Sequence, residues 1–264
     1  IFVYFLNMSI IFNIMNMKTI YILGTGESIN NITDEQWNFL STQETIGFSW
    51  FFKKNFETNH YYSHEGDEQP WGAAKTIYEN NWNTEFFLGN TCEEPIKVHN
   101  EYKDKIKCRI SNTSDWVQTF RGMVWHADAP EPPLSFDEVW AKKHEDKLFG
   151  FRGQLMAAIN LATVLGADKV VLLGIDLNNG QHFYDVGNHN PSTFEKKLIQ
   201  ASNYEPLKHT HSSNITFNNV RPVTDGLKWI SNFINLVSGN PDSLLVKEGI
   251  VKYEEVKTHK ININ

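Results

Sequence analysis

The chain is poor in cysteine and in proline, with two of the first and nine of the second in 264 residues. Cys92 and Cys108 are too few for a disulfide framework or a cysteine-based zinc cluster, and nothing else points to an oxidising compartment. A reducing cytoplasm is therefore expected. With 41% hydrophobic residues and only 16 glycines, the composition excludes fibrous and disordered classes. No basic run exceeds two residues, and 24 Lys and Arg face 31 Asp and Glu for a formal charge of -7. A polynucleotide backbone selects for a positive stripe, so no nucleic-acid partner is expected.

The length suits one large domain, or one domain with a lid. Residues 1–16, IFVYFLNMSIIFNIMN, carry no charge. They are short for a bilayer span, which needs about 20 apolar residues, and they lack the basic start of a signal peptide. Upstream sequence read through, a truncated anchor and a signal remnant all fit. The first is preferred, because Met17-Lys18 opens a well-formed start directly afterwards. This stretch is expected to precede the fold as a non-native or disordered leader, with one domain over 17–250 and a tail over 251–264.

From Thr19 the sequence TIYILG is an unbroken apolar run ending in glycine, the pattern of a strand buried on both faces of a parallel sheet. It leads into Gly24-Thr25-Gly26-Glu27-Ser28. Two glycines one residue apart and a serine turn the backbone tightly and can offer N–H groups and a hydroxyl to an anion at the next helix start. Equally, such glycines serve many strand-to-helix turns only for their backbone freedom. The third glycine of the dinucleotide fingerprint is missing, which disfavours a nicotinamide or flavin enzyme.

In the middle of the chain, GQLMAAINLATVLG (153–166) has an apolar helix pattern, Ala167-Asp168-Lys169 a turn, and Val170 to Leu173 a buried strand. That is half of a βαβ unit. The strand ends in Gly174-Ile175-Asp176, and open parallel sheets bind ligands outside their strand carboxyl ends. Asp176 either meets a ligand there or holds a neighbouring loop N–H. Arg152, Gly153 and Gln154 open the helix at the same edge, where Gly153 permits close approach and Arg152 can grip a phosphate or carboxylate as a fork. A surface arginine is the competing explanation.

Between Leu177 and Val220 the chain is polar, Asn-rich and His-rich, and a loop of this length is expected to be a lid. It holds His182, His189, His209 and His211. Zinc bound by His209, His211 and Asp176 is conceivable, but His-x-His alone predicts a metal poorly. A lid histidine acting as general base fits better, since its ordinary pKa suits proton abstraction near neutrality. Beyond the lid, Thr224 or Asp225 is expected to cap a helix with apolar positions Leu227, Ile230, Phe233, Ile234 and Val237, ended by Gly239. A turn at 240–243, a short apolar segment and a modest strand at 249–256 complete one more αβ unit.

In order, the motifs are G-x-G-x-S after the first strand, R-G before an alanine-rich helix, LGADKVVLLGID, a lid with HTHSS, a T-D-x-L helix and PDSLL. That set resembles glycosyltransferase family 42, the bacterial sialyltransferases of lipooligosaccharide outer structures, and the related motility accessory factors. The resemblance spans about 17–250 and is dense at 20–28, 150–185 and 208–246. It implies an α/β, Rossmann-like domain with a mostly parallel sheet flanked by helices and a small lid at about 177–220. It also implies an inverting, metal-independent transfer from a CMP-sugar such as CMP-sialic acid, with no cofactor. Thr25, Ser49 and Ser63 stand where the family has asparagines, and Arg152 stands where it has serine. An anionic ligand is thus implied without its nucleotide or sugar being fixed.

The family's catalytic histidine matches His211 in HTHSS, with His209 and Ser212 beside it. The resemblance assigns His211 the acceptor's proton, and gives the departing phosphate to Tyr184, Tyr204, Arg152 and the first-turn N–H groups. The D-x-D motif of metal-dependent glycosyltransferases is absent, and Glu65-Gly66-Asp67 is read as a solvated turn. Expected partners are the nucleotide-sugar donor and a glycan or lipid-linked glycan acceptor. Homo-oligomerisation and peripheral attachment to the inner membrane face stay open. Two alternatives are a magnesium-dependent diphosphokinase-like enzyme using Asp176 and Asp185, and a binding module without turnover.

Overall fold

The computed structural model describes residues 17–66, 68–113, 129–130, 132, 134–178, 182–184 and 221–258. The lid expected at 177–220 lies outside them apart from Leu177, Asn178 and residues 182–184, and so does the leader at 1–16. Eight strands form one sheet: Thr19–Leu23 (β1), Glu44–Phe48 (β2), His60–Ser63 (β3), Glu85–Gly89 (β4), Cys108–Ser111 (β5), Lys169–Leu173 (β6), Leu236–Ser238 (β7) and Lys252–Tyr253 (β8). Their order is β5-β4-β3-β2-β1-β6-β7-β8, and every pairing is parallel. The expected α/β, Rossmann-like arrangement is what the chain adopts.

Helices lie at Asp34–Leu40 (α1), Gln69–Glu79 (α2), Glu93–Tyr102 (α3), Phe136–Val139 (α4), Gln154–Val164 (α5), Val223–Ile230 (α6) and Leu244–Lys247 (α7). Alternation along each strand feeds two cores. Ile20, Ile22, Val170 and Leu172 face α5 and α6, while Tyr21, Leu23, Val171 and Leu173 face the layer of α1, α2 and α3. Because both faces are covered, the strands read as continuous apolar runs. Helix α5 is apolar all round for the same reason, with nine of its eleven residues buried.

The chain departs from the sequence pattern near its end. The apolar spacing after Leu227 suggests one helix through Val237, yet α6 stops at Ile230 and Leu236–Ser238 pairs with β6 instead. Ser231 Oγ and Asn232 Nδ2 donate back to the Lys228 carbonyl, 2.8 and 3.1 Å away, and terminate the helix. Phe233 is left 55% exposed. Helix α6 also opens after Pro222 rather than at a Thr224 or Asp225 cap, with Asp225 paired to Arg221 at 2.9 Å. The sheet runs past residue 250 through β8, and Val256 is buried in the core.

Strands β1 to β5 progress outward on one side, and the chain then returns to place β6 on the other side of β1. The order reverses between β1 and β6. The carboxyl ends of the strands at such a reversal are the usual ligand position in doubly wound sheets.

Candidate functional site

The two turns at the carboxyl ends of β1 and β6 are locked together. Gly24 N donates to Leu173 O and Gly26 N to Gly174 O, each at 2.8 Å. A Cβ on Gly26 would lie 2.5 Å from Asp176 Oδ2, and one on Gly24 would lie 2.7 Å from Gly174 O. Close backbone approach is therefore what these glycines supply. Asp176 accepts from Ser28 N at 2.9 Å, from Ser28 Oγ at 2.5 Å and from Asn240 Nδ2 at 2.8 Å. The Ser28 hydroxyl and N–H thus point at a carboxylate of the protein itself. Thr25 is buried, and its carbonyl accepts from Phe183 N at 2.9 Å.

A second group of side chains gathers at the carboxyl ends of β2 and β3. Ser63 Oγ donates to Gln69 Oε1 at 3.0 Å, Gln69 Nε2 donates to Ser49 Oγ at 3.3 Å, and Gln154 Nε2 donates to Gln69 Oε1 at 2.6 Å and to Glu65 Oε1 at 3.2 Å. Gln69 and Gln154 open α2 and α5, so two helix starts meet over the strand ends. Gln69 was missed from sequence because an isolated glutamine carries no motif. Glu65, read as part of a solvated turn, belongs to this network.

Arg152 and Gly153 sit directly before α5. Arg152 is 5% exposed, and burial pushes its guanidinium down to about 10, which still leaves it charged at neutral pH. Gly153 caps α5 with no side-chain hydrogen bond, and nothing lies within 4 Å of where its Cβ would be. A helix start whose N–H groups lack a side-chain cap favours an anion. Backbone strain marks the same edge. Among described non-glycine residues with positive φ, two are asparagines, which tolerate that region, and the others are Ser49 (59°), Arg152 (56°) and Leu177 (57°). These three flank β2, α5 and β6 at their site ends. Strain of this kind persists where the surroundings over-determine a functional geometry.

His64, also at the end of β3, shares a 2.9 Å hydrogen bond between Nδ1 and the Tyr62 hydroxyl. Burial drives its pKa down to about 4, so it is neutral at physiological pH. Residues 182–184 cross the glycine turn, with His182 bridged to Gly26 and Asn30 Nδ2 donating to Phe183 O at 3.1 Å. Tyr184 stacks on His182 at 5.1 Å. The structure therefore brings Gly24, Thr25, Gly26, Ser28, Gly174 and Asp176 together at β1 and β6, and Ser49, Ser63 and Gln154 at β2 and β3. Arg152 and Gly153 adjoin the second group, and Tyr184 crosses the first. His209, His211, Ser212, Tyr204 and Asp185 lie outside the described residues.

Open concavities lie elsewhere. A 590 Å³ groove at the amino ends of β2, β3 and β4 is lined by Glu44, His60, Glu85 and Lys107. There His60 lies between Glu44 at 3.2 Å and Glu85 at 3.4 Å, whereas the strained turns are at the carboxyl edge. The chemistry therefore points to the carboxyl edge. Among the described residues no group of three or more His, Cys, Asp or Glu is placed to hold a metal, and no helix is long and apolar enough to cross a membrane.

The fold is that of a doubly wound α/β protein, with the candidate site at its strand carboxyl ends. No protein-family model and no curated protein matches the chain. Among solved structures it is similar to one titled as a MAf glycosyltransferase from Magnetospirillum magneticum AMB-1, with a TM-score of 0.40 and 16% identity over 62% of this chain. The match takes in 24% of that protein, so the chain spans about a quarter of its length.

Proposed function

We propose that the chain is a glycosyltransferase-like enzyme that binds a nucleotide-sugar donor at the carboxyl edge of its sheet. One observation carries this: the buried Arg152 directly precedes the start of α5, whose Gly153 N-cap offers no side chain and borders open space. The donor's phosphate takes the N–H groups of that helix start and the fork of Arg152. Ser49 supplies a hydroxyl, and Tyr184 meets the leaving phosphate from the segment crossing the glycine turn. A CMP-linked acidic sugar is the donor that the sequence resemblance favours.

His211 acts as general base. It takes the proton of an acceptor hydroxyl as that oxygen bonds to the anomeric carbon, while the bond from that carbon to the phosphate oxygen breaks and the nucleotide departs with the electron pair. Inversion follows from attack opposite the leaving group. Positioning and charge stabilisation supply most of the rate, with the base adding about 10²- to 10⁴-fold. The reaction proceeds without metal.

Thermal-shift measurements against CMP-, UDP-, GDP- and ADP-linked sugars, with and without magnesium, test the donor class, because a bound ligand raises stability by mass action. One nucleotide should stand out without needing magnesium. With that donor, His211→Ala should lower transfer at least about a hundredfold with little change in donor affinity. Near-normal turnover in this variant would contradict the mechanism.

A further inference from the structure

The short 3-10 turn Phe51–Lys54 after β2 carries two lysines with different surroundings. Lys54 Nζ lies over Trp37 of α1, 5.2 Å from the ring centroid. Lys53 Nζ instead lies 3.9 Å from the Tyr184 ring centroid and 4.6 Å from that of Trp50. Many other cations of the described residues are paired with carboxylates, among them Lys18 with Glu44, Lys169 with Glu254 and Arg221 with Asp225. Lys53 has no carboxylate partner among the described residues, although the chain as a whole is acidic. Two ring faces attract its ammonium but do not neutralise it.

The position of this cation matters as much as its surroundings. From the glycine turn, contacts run from Gly26 to His182, from His182 to the stacked Tyr184 ring, and from Tyr184 to Lys53 and Trp50. Trp50 follows Ser49, whose backbone carbonyl accepts from the Tyr61 hydroxyl at 2.5 Å. Lys53 thereby stands at the carboxyl ends of β1 and β2, on the same edge as Arg152 but on a different element. An exposed lysine held by aromatic faces in a fixed place is a point charge ready for a second anionic group.

We infer that Lys53 is a second anion-contacting residue of the site, and that the donor carries two separate negative groups. This rests on the nucleotide-sugar reading above. The shared chemistry is a nucleotide whose second charge comes either from a further phosphate or from the carboxylate of an acidic sugar. Arg152 holds the phosphate at α5, and Lys53 holds the other group.

Calorimetric titration of the full chain with CMP, CDP, a CMP-linked acidic sugar and inorganic pyrophosphate tests this. The wild type should bind one doubly charged probe, CDP or the acidic-sugar conjugate, about tenfold more tightly than CMP, the size expected for a charge-assisted contact. In Lys53→Gln that ratio should fall to about one, in Lys53→Arg it should be retained, and in the wild type it should shrink as salt rises. Which probe shows the gain identifies the source of the second charge. A ratio unchanged in Lys53→Gln overturns the inference, as does a wild type that binds all nucleotides equally. If no nucleotide binds but pyrophosphate does, and more weakly to Lys53→Gln, the nucleotide reading falls while Lys53 keeps its role. If pyrophosphate binds neither protein, or both alike, the inference is overturned with it.

Discussion

Ser49, Arg152 and Leu177 hold left-handed backbone that glycine or asparagine adopts at lower cost, in the turns after β2, before α5 and after β6. Such conformations cost of order 1–3 kcal/mol apiece. Nothing in the residue types announces this, since serine, arginine and leucine rarely take positive φ, and sequence patterns carry no signal for it. Arg152 was legible as a candidate from its place before Gly153, but its burial was not. His64 was not legible at all, because a histidine after a strand is most often solvated. Its folded pKa of about 4 lies below the unfolded value of about 6.5, so the unfolded chain binds the proton first as pH falls. His64 therefore contributes stability that is present above about pH 6.5 and is lost as pH falls toward 4, on the order of 3 kcal/mol in all. Urea unfolding of the wild type and His64→Gln across this range should show a flatter pH dependence for the variant. Parallel curves would exclude His64 as the source.

Helix α5 sets the site because its amino end carries Arg152, Gly153 and Gln154, and its body is sealed in the core. Sequence showed this helix well, since an apolar stretch bounded by glycines has one simple interpretation. It also showed β1 and β6, each a short apolar run ended by glycine. It misjudged α6, because apolar spacing continues through Phe233 and Ile234 while the chain itself turns at Ser231 and Asn232. Asn160 ties α5 to the loop preceding it. It is fully buried, its Oδ1 accepts from Ala141 N at 3.1 Å and Phe149 N at 2.8 Å, and its Nδ2 donates to Ala141 O at 2.9 Å. Asn160→Ala leaves these backbone groups without their partner, and a loss of about 2–4 kcal/mol is expected from urea denaturation. A loss below about 1 kcal/mol for the alanine variant would show that the loop finds other partners.

For the molecule as a whole, the parallel sheet and its reversal between β1 and β6 set where the candidate site lies, and those features followed from the order of apolar runs and glycines. The site was legible in part. Motifs marked the turns around Gly24, Arg152 and Asp176, yet the pairing of Ser28 with Asp176 and the linking of Ser49, Ser63 and Gln154 through Gln69 depend on residues far apart in the chain. Long-range side-chain contacts leave no local trace. An overall charge of -7 coexists with Arg152 and Lys53 at one edge, which local composition alone does not distinguish from a scattered pair. We propose that this edge binds the phosphate of a nucleotide sugar through Arg152. Titrating the best donor of the thermal-shift panel into wild type and Arg152→Lys, with melting temperatures as a check on folding, tests it most directly. Lysine keeps the charge but loses the fork, so the dissociation constant should rise at least about tenfold while the fold is retained. An unchanged dissociation constant in a folded Arg152→Lys protein would contradict it.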